Sequence, residues 1–340
     1  MEKEARFWVP RPDGRVVCQL CPHNCRIESG KYGGCGARFN DGGRLMALSY
    51  GRITSAAVDP VEKKPLYHFH PGESIFSIGS FGCSLHCVFC QNYGISQGRP
   101  PSQFASPEEV AETAVRHGSF AVAYTYNEPL IWMEYLIDAA TAARARGLKN
   151  VLVTNGFVNP EPLAALLPLV DAANVDLKSM DDSFYKRLCG ARLKPVLDAC
   201  AAMKRAGVHV EVTNLVVTGE NDSERNFVEL RDWVVAELGV DTPVHLSAYY
   251  PAYRFSAPPT PLSTLETAYE VMRGKLHYVY LGNVRRGRKG HDTVCRDCGA
   301  LLVERSGYST RVVGLDGDGR CAACGADNNF VVGPLDSARK

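Results

Sequence analysis

Gly82-Cys83-Ser84-Leu85-His86-Cys87-Val88-Phe89-Cys90-Gln91-Asn92 carries three cysteines in the spacing CxxxCxxC. Three thiolates so spaced on one short loop can wrap one corner of a [4Fe–4S] cluster, whereas an electron-transfer cluster takes four cysteine ligands. With three in the local run, one iron keeps open positions, which a chelating cofactor needs if it is to be reductively cleaved there. The plainer alternatives are a structural zinc loop and a chance grouping. Both fit less well, because zinc loops are built from CxxC pairs.

Outward from this loop, the 340-residue chain is 45% hydrophobic and 22% charged, the composition of a globular protein with a large buried core. A formal net charge of +1 gives no general pull toward nucleic acid or anionic membrane. No run of eighteen apolar residues occurs, and the N-terminus Met-Glu-Lys-Glu-Ala-Arg has no apolar signal core, so a cytoplasmic location with no membrane partner is expected. Of thirteen cysteines, eleven fall into three short-spaced groups, a pattern of metal ligation and not of disulfides. Cys189 and Cys200 lie in helical contexts and read as core.

Three zones divide the chain: a Cys-rich extension over 1–72, a core over 73–284 and a metal-binding module over 285–340. In the core, apolar runs at 74–78, 121–126, 150–154, 173–176, 209–214 and 245–248 read as strands, with 278–281 as a further candidate. Helical patterns fill the gaps at 107–117, 130–146, 161–169, 195–206, 224–238 and 264–275, with Ser106 and Pro107 marking a helix start. Six strands alternating with six helices predict an α/β fold, a partial (β/α)6 TIM-type barrel. A doubly wound sheet would carry a Gly-x-Gly-x-x-Gly turn after its first strand. Here that strand runs through Gly79-Ser-Phe-Gly82 into the cysteine loop.

The barrel reading puts catalytic groups at the C-terminal ends of strands. Cys83 to Cys90 follow the first strand, Asn127-Glu128-Pro129 the second, Thr154-Asn155-Gly156 the third and Asp176 with Lys178 the fourth; Asn214 ends the fifth and His245 lies at the sixth. Singly, each is an ordinary turn or cap residue. Together they make one polar rim beside the cysteine loop.

The cysteine spacing, with Phe89 before the third cysteine, resembles the radical SAM superfamily. Across the chain the resemblance is to its pyruvate formate-lyase activating enzyme branch, and within that to the radical SAM protein of the AmmeMemoRadiSam system. It is carried by Cys18-Gln-Leu-Cys-Pro-His-Asn-Cys25 with Gly33-Gly-Cys-Gly-Ala-Arg38, Val61-Glu-Lys-Lys-Pro-Leu-Tyr-His-Phe69, the loop itself, Tyr124-Thr-Tyr-Asn-Glu-Pro129, Val175-Asp-Leu-Lys178 and Tyr280-Leu-Gly-Asn-Val284. The resemblance implies that Cys83, Cys87 and Cys90 ligate a [4Fe–4S] cluster and that S-adenosylmethionine (SAM) binds the open iron. It implies too that Asn127-Glu128-Pro129 stands where activating enzymes carry Gly-Gly-Glu-Pro for the SAM amino group. The chain departs there by lacking the glycine pair.

On chemical grounds, Glu128 is the carboxylate for the SAM ammonium, with backbone acceptors near Tyr126 and Asn127. Asn155 and Asp176 suit the ribose. Lys178 can neutralise the methionine carboxylate or Asp176, and His245 is a hydrogen-bond or proton partner near the substrate. Cys18, Cys21, Cys25 and Cys35 offer four thiolates to zinc or to an auxiliary cluster, and spacing does not separate the two. Cys295-Arg-Asp-Cys298 and Cys321-Ala-Ala-Cys324 lie twenty-two residues apart, near zinc-ribbon spacing, so a zinc-ribbon-like appendage is expected. The basic run 285–290 reads as a solvated linker, since no aromatic stacking pattern accompanies it.

The expected function is a radical SAM enzyme that cleaves SAM reductively to a 5′-deoxyadenosyl radical. That radical abstracts hydrogen from an unidentified protein or small-molecule substrate, with a donor such as flavodoxin or ferredoxin supplying the electron. The alternative is a cluster- and zinc-bearing nucleic-acid-binding or scaffold protein without turnover, which has no use for the polar rim.

Overall fold

In the computed structural model, residues 3–284 and 289–333 are described; the basic residues 285–288 lie outside them. The centre is an eight-stranded sheet. Its strands are β1 (Ser55–Pro60), β2 (Ser74–Gly79), β3 (Ala121–Tyr124), β4 (Lys149–Thr154), β5 (Ala172–Asp176), β6 (His209–Val216), β7 (Val244–Ala248) and β8 (Val279–Gly282). From β2 to β8 every neighbour is parallel and in chain order, and β1 pairs antiparallel to β2 from Ser55↔Gly79 to Pro60↔Ser74. The sheet ends on β1 at one edge and β8 at the other, so the barrel is open. Helices α1 (Pro107–Arg116), α2 (Met133–Ala145), α3 (Pro160–Leu166), α4 (Leu193–Arg205), α5 (Glu224–Glu237) and α6 (Leu262–Arg273) form the connections.

Two elements differ from the sequence reading. The candidate strand at 278–281 is a full member of the sheet, giving seven parallel strands in place of six. Strand β1 was not foreseen, and it carries the sheet upstream of residue 73. Its residues alternate half-buried and exposed from Ser55 to Val58, as an amphipathic edge strand does, and lack the apolar run of the buried strands. The predicted strand 121–126 stops at Tyr124 because Tyr126 adopts φ +72°, which ends extended pairing. Helix α1 starts as expected: Ser106 and Glu109 form a reciprocal capping box with Pro107 in the first turn.

Burial explains the layers. Ala121, Ala123, Val151 and Ala172, small residues on one sheet face, pack with Val61, Leu66 and Phe69 from the segment after β1. The other face packs Val122, Tyr124, Leu152 and Val175 against the helices in the main core. Each such Leu or Phe contributes roughly 1.5–3 kcal/mol on burial.

The tail is joined to the barrel more closely than an appendage would be. Strands β9 (Leu301–Ser306) and β10 (Ser309–Val312) form a hairpin with a third short strand, Thr293–Val294. Buried Arg305 donates to the Tyr67 carbonyl at 2.7 Å, and its guanidinium lies 4.2 Å from the centre of the Tyr67 ring. Val331 N–H donates to the His68 carbonyl at 2.8 Å, and the His70 N–H donates to the Val331 carbonyl at 2.7 Å.

Candidate active site

The cysteine loop leaves β2 at Gly79 and is fixed from three sides. His86 N–H donates to the Cys189 carbonyl at 2.8 Å and Val88 N–H to the Leu188 carbonyl at 2.9 Å. His23, within the N-terminal cysteine run, bonds the Ser84 carbonyl at 2.8 Å. Gly82, at φ +87°, passes so near the N-terminal segment that a Cβ there would meet the Cys35 carbonyl oxygen at 2.4 Å. Only glycine fits that approach.

The loop after β3 holds it from a fourth side. Asn127 accepts from Ser80 N–H at 2.9 Å and donates to the Gly82 carbonyl at 3.0 Å, while Asn92 donates to the Tyr126 carbonyl at 2.8 Å. Asn127 thus shapes the cysteine loop directly.

A cavity of about 480 Å³ opens at this place. Cys83, Cys90, Tyr126, Asn127, Glu128, Asn155 and Asp176 all line it, so seven of the residues expected from sequence share one space. Cys87 is buried in the wall behind, with the Cys189 thiol against it. Asn155 Nδ2 lies 3.5 Å from the Cys83 sulfur, and Ser96 Oγ lies 3.2 Å from the Cys90 sulfur. Lys178 reaches Asp176 at 3.1 Å behind the lining. Burial alone would lower its ammonium, yet Asp176 and Cys87 hold it well above its ordinary value.

Glu128 is 2% exposed and already engaged. Its Oε1 accepts from Leu130 N–H at 2.9 Å and Thr154 Oγ1 at 2.6 Å, and its Oε2 from Asn155 N–H at 2.8 Å. Three of about four acceptor positions are taken, leaving one for a further donor. Burial raises the carboxyl to about 7 in spite of these donors.

His245 is not brought to this rim, which corrects the sequence reading. It stands near the start of β7, at the opposite end of the strands from the cavity, and bonds Glu211 at 2.7 Å. Glu211 also accepts from Tyr67 N–H, His68 N–H and the His209 ring. A buried carboxylate with four partners is a structural knot that pins the segment after β1 to β6.

Sequence reasoning gave no role to several lining residues: Lys63, Lys64, Thr213, Leu215, Ser247, Asn283 and Tyr308. The two lysines stand in the quoted run 61–69, so the signal was present in the sequence. Thr213, Leu215 and Ser247 lie within strands, where alternation alone does not tell barrel interior from exterior.

The residues fit the expected groups. Cys295, Cys298, Cys321 and Cys324 bring their sulfurs within 4.8 Å of one another, the one such group among the described residues. Cys295–Cys324 and Cys298–Cys321 are each 3.6 Å apart. A tetrahedral ion with Zn–S near 2.3 Å separates its thiolates by about 3.8 Å. Cys83, Cys87 and Cys90 do not converge on one point in that way, as suits a cluster whose thiolates sit on separate irons. Thr213 Oγ1, in the same cavity and in a residue 8% exposed, has no partner among the described residues, which leaves a polar group there for a ligand to meet. Cys18, Cys21, Cys25 and Cys35 lie close enough to interact electrostatically without meeting the single-ion spacing of the tail.

Residues 77–234 match the family model of the radical SAM superfamily. An uncharacterized protein of Methanocaldococcus jannaschii is 42% identical over 336 residues, covering 97% of this chain and all of that one. The pyruvate formate-lyase 1-activating enzyme of Escherichia coli K12 is 24% identical over 177 residues, half of this chain and 71% of that protein. The pyruvate formate-lyase-activating enzyme of Clostridium pasteurianum is 25% identical over 158 residues, 44% and 64% of the two chains. A radical SAM methyltransferase from Sphaerobacter thermophilus superposes with a TM-score of 0.50 at 16% identity, covering 88% of this chain and 81% of that structure, which bears on the fold alone.

Proposed function

Because this chain belongs to the radical SAM superfamily and is an enzyme of that kind, we propose that it makes a substrate radical in the cavity at the C-terminal ends of β2–β5. When bound, the cluster and SAM supply reductive cleavage of the sulfonium to a 5′-deoxyadenosyl radical, which takes hydrogen from a protein or small-molecule substrate.

The chain's own residues bind, orient and shield. Cys83, Cys87 and Cys90 are the cluster ligands, and Asn127 with His23 keeps their loop in one shape. Glu128 offers its remaining acceptor position to the SAM ammonium. Asn155 and Asp176 face the ribose, and Lys178 balances the charge of Asp176 and the thiolates. The tail thiols hold zinc, and Cys18, Cys21, Cys25 and Cys35 hold a second metal or an auxiliary cluster. The electron comes from a flavodoxin- or ferredoxin-like donor in the cytoplasm.

The observation that carries this reading is convergence: Cys83 and Cys90, Glu128, Asn155 and Asp176, from four successive strand ends, line one cavity. Similarity to activating enzymes points to a glycyl-radical protein as the substrate class to try first. The test is electron paramagnetic resonance of the anaerobically reconstituted, reduced protein with and without SAM. A cluster signal that shifts on adding SAM supports the reading, and a signal indifferent to saturating SAM rules it out.

A further inference from the structure

The run Val61–Phe69 puts two lysines into the cavity, and the chemistry proposed above uses neither. Both bind one carboxylate: Lys63 Nζ lies 2.8 Å from Asp59 Oδ1 and Lys64 Nζ 2.7 Å from Oδ2. Tyr126 donates its hydroxyl to Oδ2 as well, at 2.7 Å. Three donors thus converge on Asp59, and two lysines share this one carboxylate.

Each ammonium has three N–H donors, and Asp59 is the one hydrogen-bond acceptor each finds among the described residues. Lys64 is 2% exposed, lies 4.6 Å from the centre of the Tyr126 ring and lines the cavity. A buried ammonium so placed is incomplete without a further acceptor. The hydroxyl of Thr213, also without a partner, lines the same cavity. The carboxylates Glu128 and Asp176 come from the ends of β3 and β5, so the cavity is acidic on the cluster side and basic on the β1 side. Tyr308, at the tip of the β9–β10 hairpin, also lines it.

We propose that the Lys63–Lys64 wall is a subsite for an anionic oxygen group of the substrate, a carboxylate or a phosphate, with Tyr308 of the tail alongside. The subsite rests on reading this cavity as the active site. A compact anion bridges both ammoniums and takes their spare N–H donors in charge-assisted bonds.

The test is calorimetric titration of the full-length, anaerobically reconstituted protein with malonate and with inorganic phosphate, at ionic strength held constant with chloride. SAM affinity is measured separately on each variant. The expected result is saturable one-to-one binding of at least one probe, weakened at least tenfold in Lys63→Gln with SAM affinity unchanged; the preferred probe then tells carboxylate from phosphate. Lys63 is half exposed, so that variant retains the fold, and Asp59→Asn/Lys64→Gln removes the buried pair without stranding a charge. Absence of saturable binding of both probes, or binding untouched in both variants, overturns the subsite. An equal loss of SAM affinity in Lys63→Gln also overturns it, since the lysines would then serve the cofactor. If the wild type binds a probe through Lys63 but no SAM, the subsite stands and the radical SAM reading of the cavity falls.

Discussion

Glu128 combines two roles that the sequence offered as alternatives. It caps the turn that begins at Pro129 and also lines the cavity. Glu128→Gln puts an amide group among three donors and removes a charge-assisted acceptor worth about 1.5–3 kcal/mol. SAM binding should weaken roughly ten- to a hundredfold, and thermal stability should fall as well, by equilibrium dialysis and calorimetry on the same sample. With its carboxyl near 7, the form that accepts from an ammonium grows in as pH rises. SAM affinity should therefore increase from about pH 6 to about pH 8 in the wild type and stay flat in the variant. Stability runs the other way: a carboxyl raised above its unfolded value near 4.3 lowers stability as pH climbs from there toward 7. His245→Ala makes a contrast. Loss of one of four partners of Glu211 should cost about 2–4 kcal/mol of stability and leave SAM affinity intact. His245 opens the strand read over 245–248 and so belongs to its N-terminal end; grouping it with the strand-end residues was the error, since Asn127, Glu128, Asn155 and Asp176 all follow or close theirs.

Among the elements, the parallel strands and their helices were legible because a strand buried on both faces must be an apolar run. Edge strand β1 was not, for it alternates and sits in a region dominated by Gly, Arg and Cys. The tail's CxxC pairs were equally plain, yet its docking was not, since no local pattern marks the partners of Arg305 or His68. That docking changes what the tail is expected to do. Cys298→Ser leaves three thiolates, so metal should be released and the hairpin should loosen. Because Arg305 and Val331 anchor it to the segment after β1, the barrel's melting temperature should drop too. SAM cleavage without substrate should persist, as the cysteine loop is held by other elements. Acid should act at the same junction. His68 stacks on Phe330 at 4.1 Å and bonds Tyr280 at 2.6 Å, and burial pushes its imidazole down to about 3. The unfolded chain takes up a proton near 6.5 that the folded chain refuses, so stability falls as pH drops below about 6.5. His70, pushed down to about 4 by burial, adds to this loss and Glu128 opposes it, so the test is the difference. Chemical denaturation between about pH 6.5 and 5 should show His68→Gln losing less stability on acidification than the wild type.

At the scale of the whole molecule, an open barrel receives three separate pieces at one cavity. The N-terminal segment braces the cysteine loop through His23 and Cys35, the run after β1 brings two lysines, and the tail brings Tyr308. The cysteine spacing and the strand-end polar residues made the cluster side of this cavity readable from sequence. The lysine side was written there too, but which wall those lysines face is set by β1 pairing antiparallel to β2. Among the described residues, no helix is long and apolar enough to cross a membrane. The central claim is reductive cleavage of SAM at the three-cysteine loop. Full-length protein, reconstituted anaerobically and given SAM with dithionite, should release 5′-deoxyadenosine, detected by chromatography and mass spectrometry, and Cys87→Ala should release none while keeping its tail metal. Wild-type protein with an intact cluster that yields no 5′-deoxyadenosine, or a Cys87→Ala variant that yields as much, is incompatible with that claim.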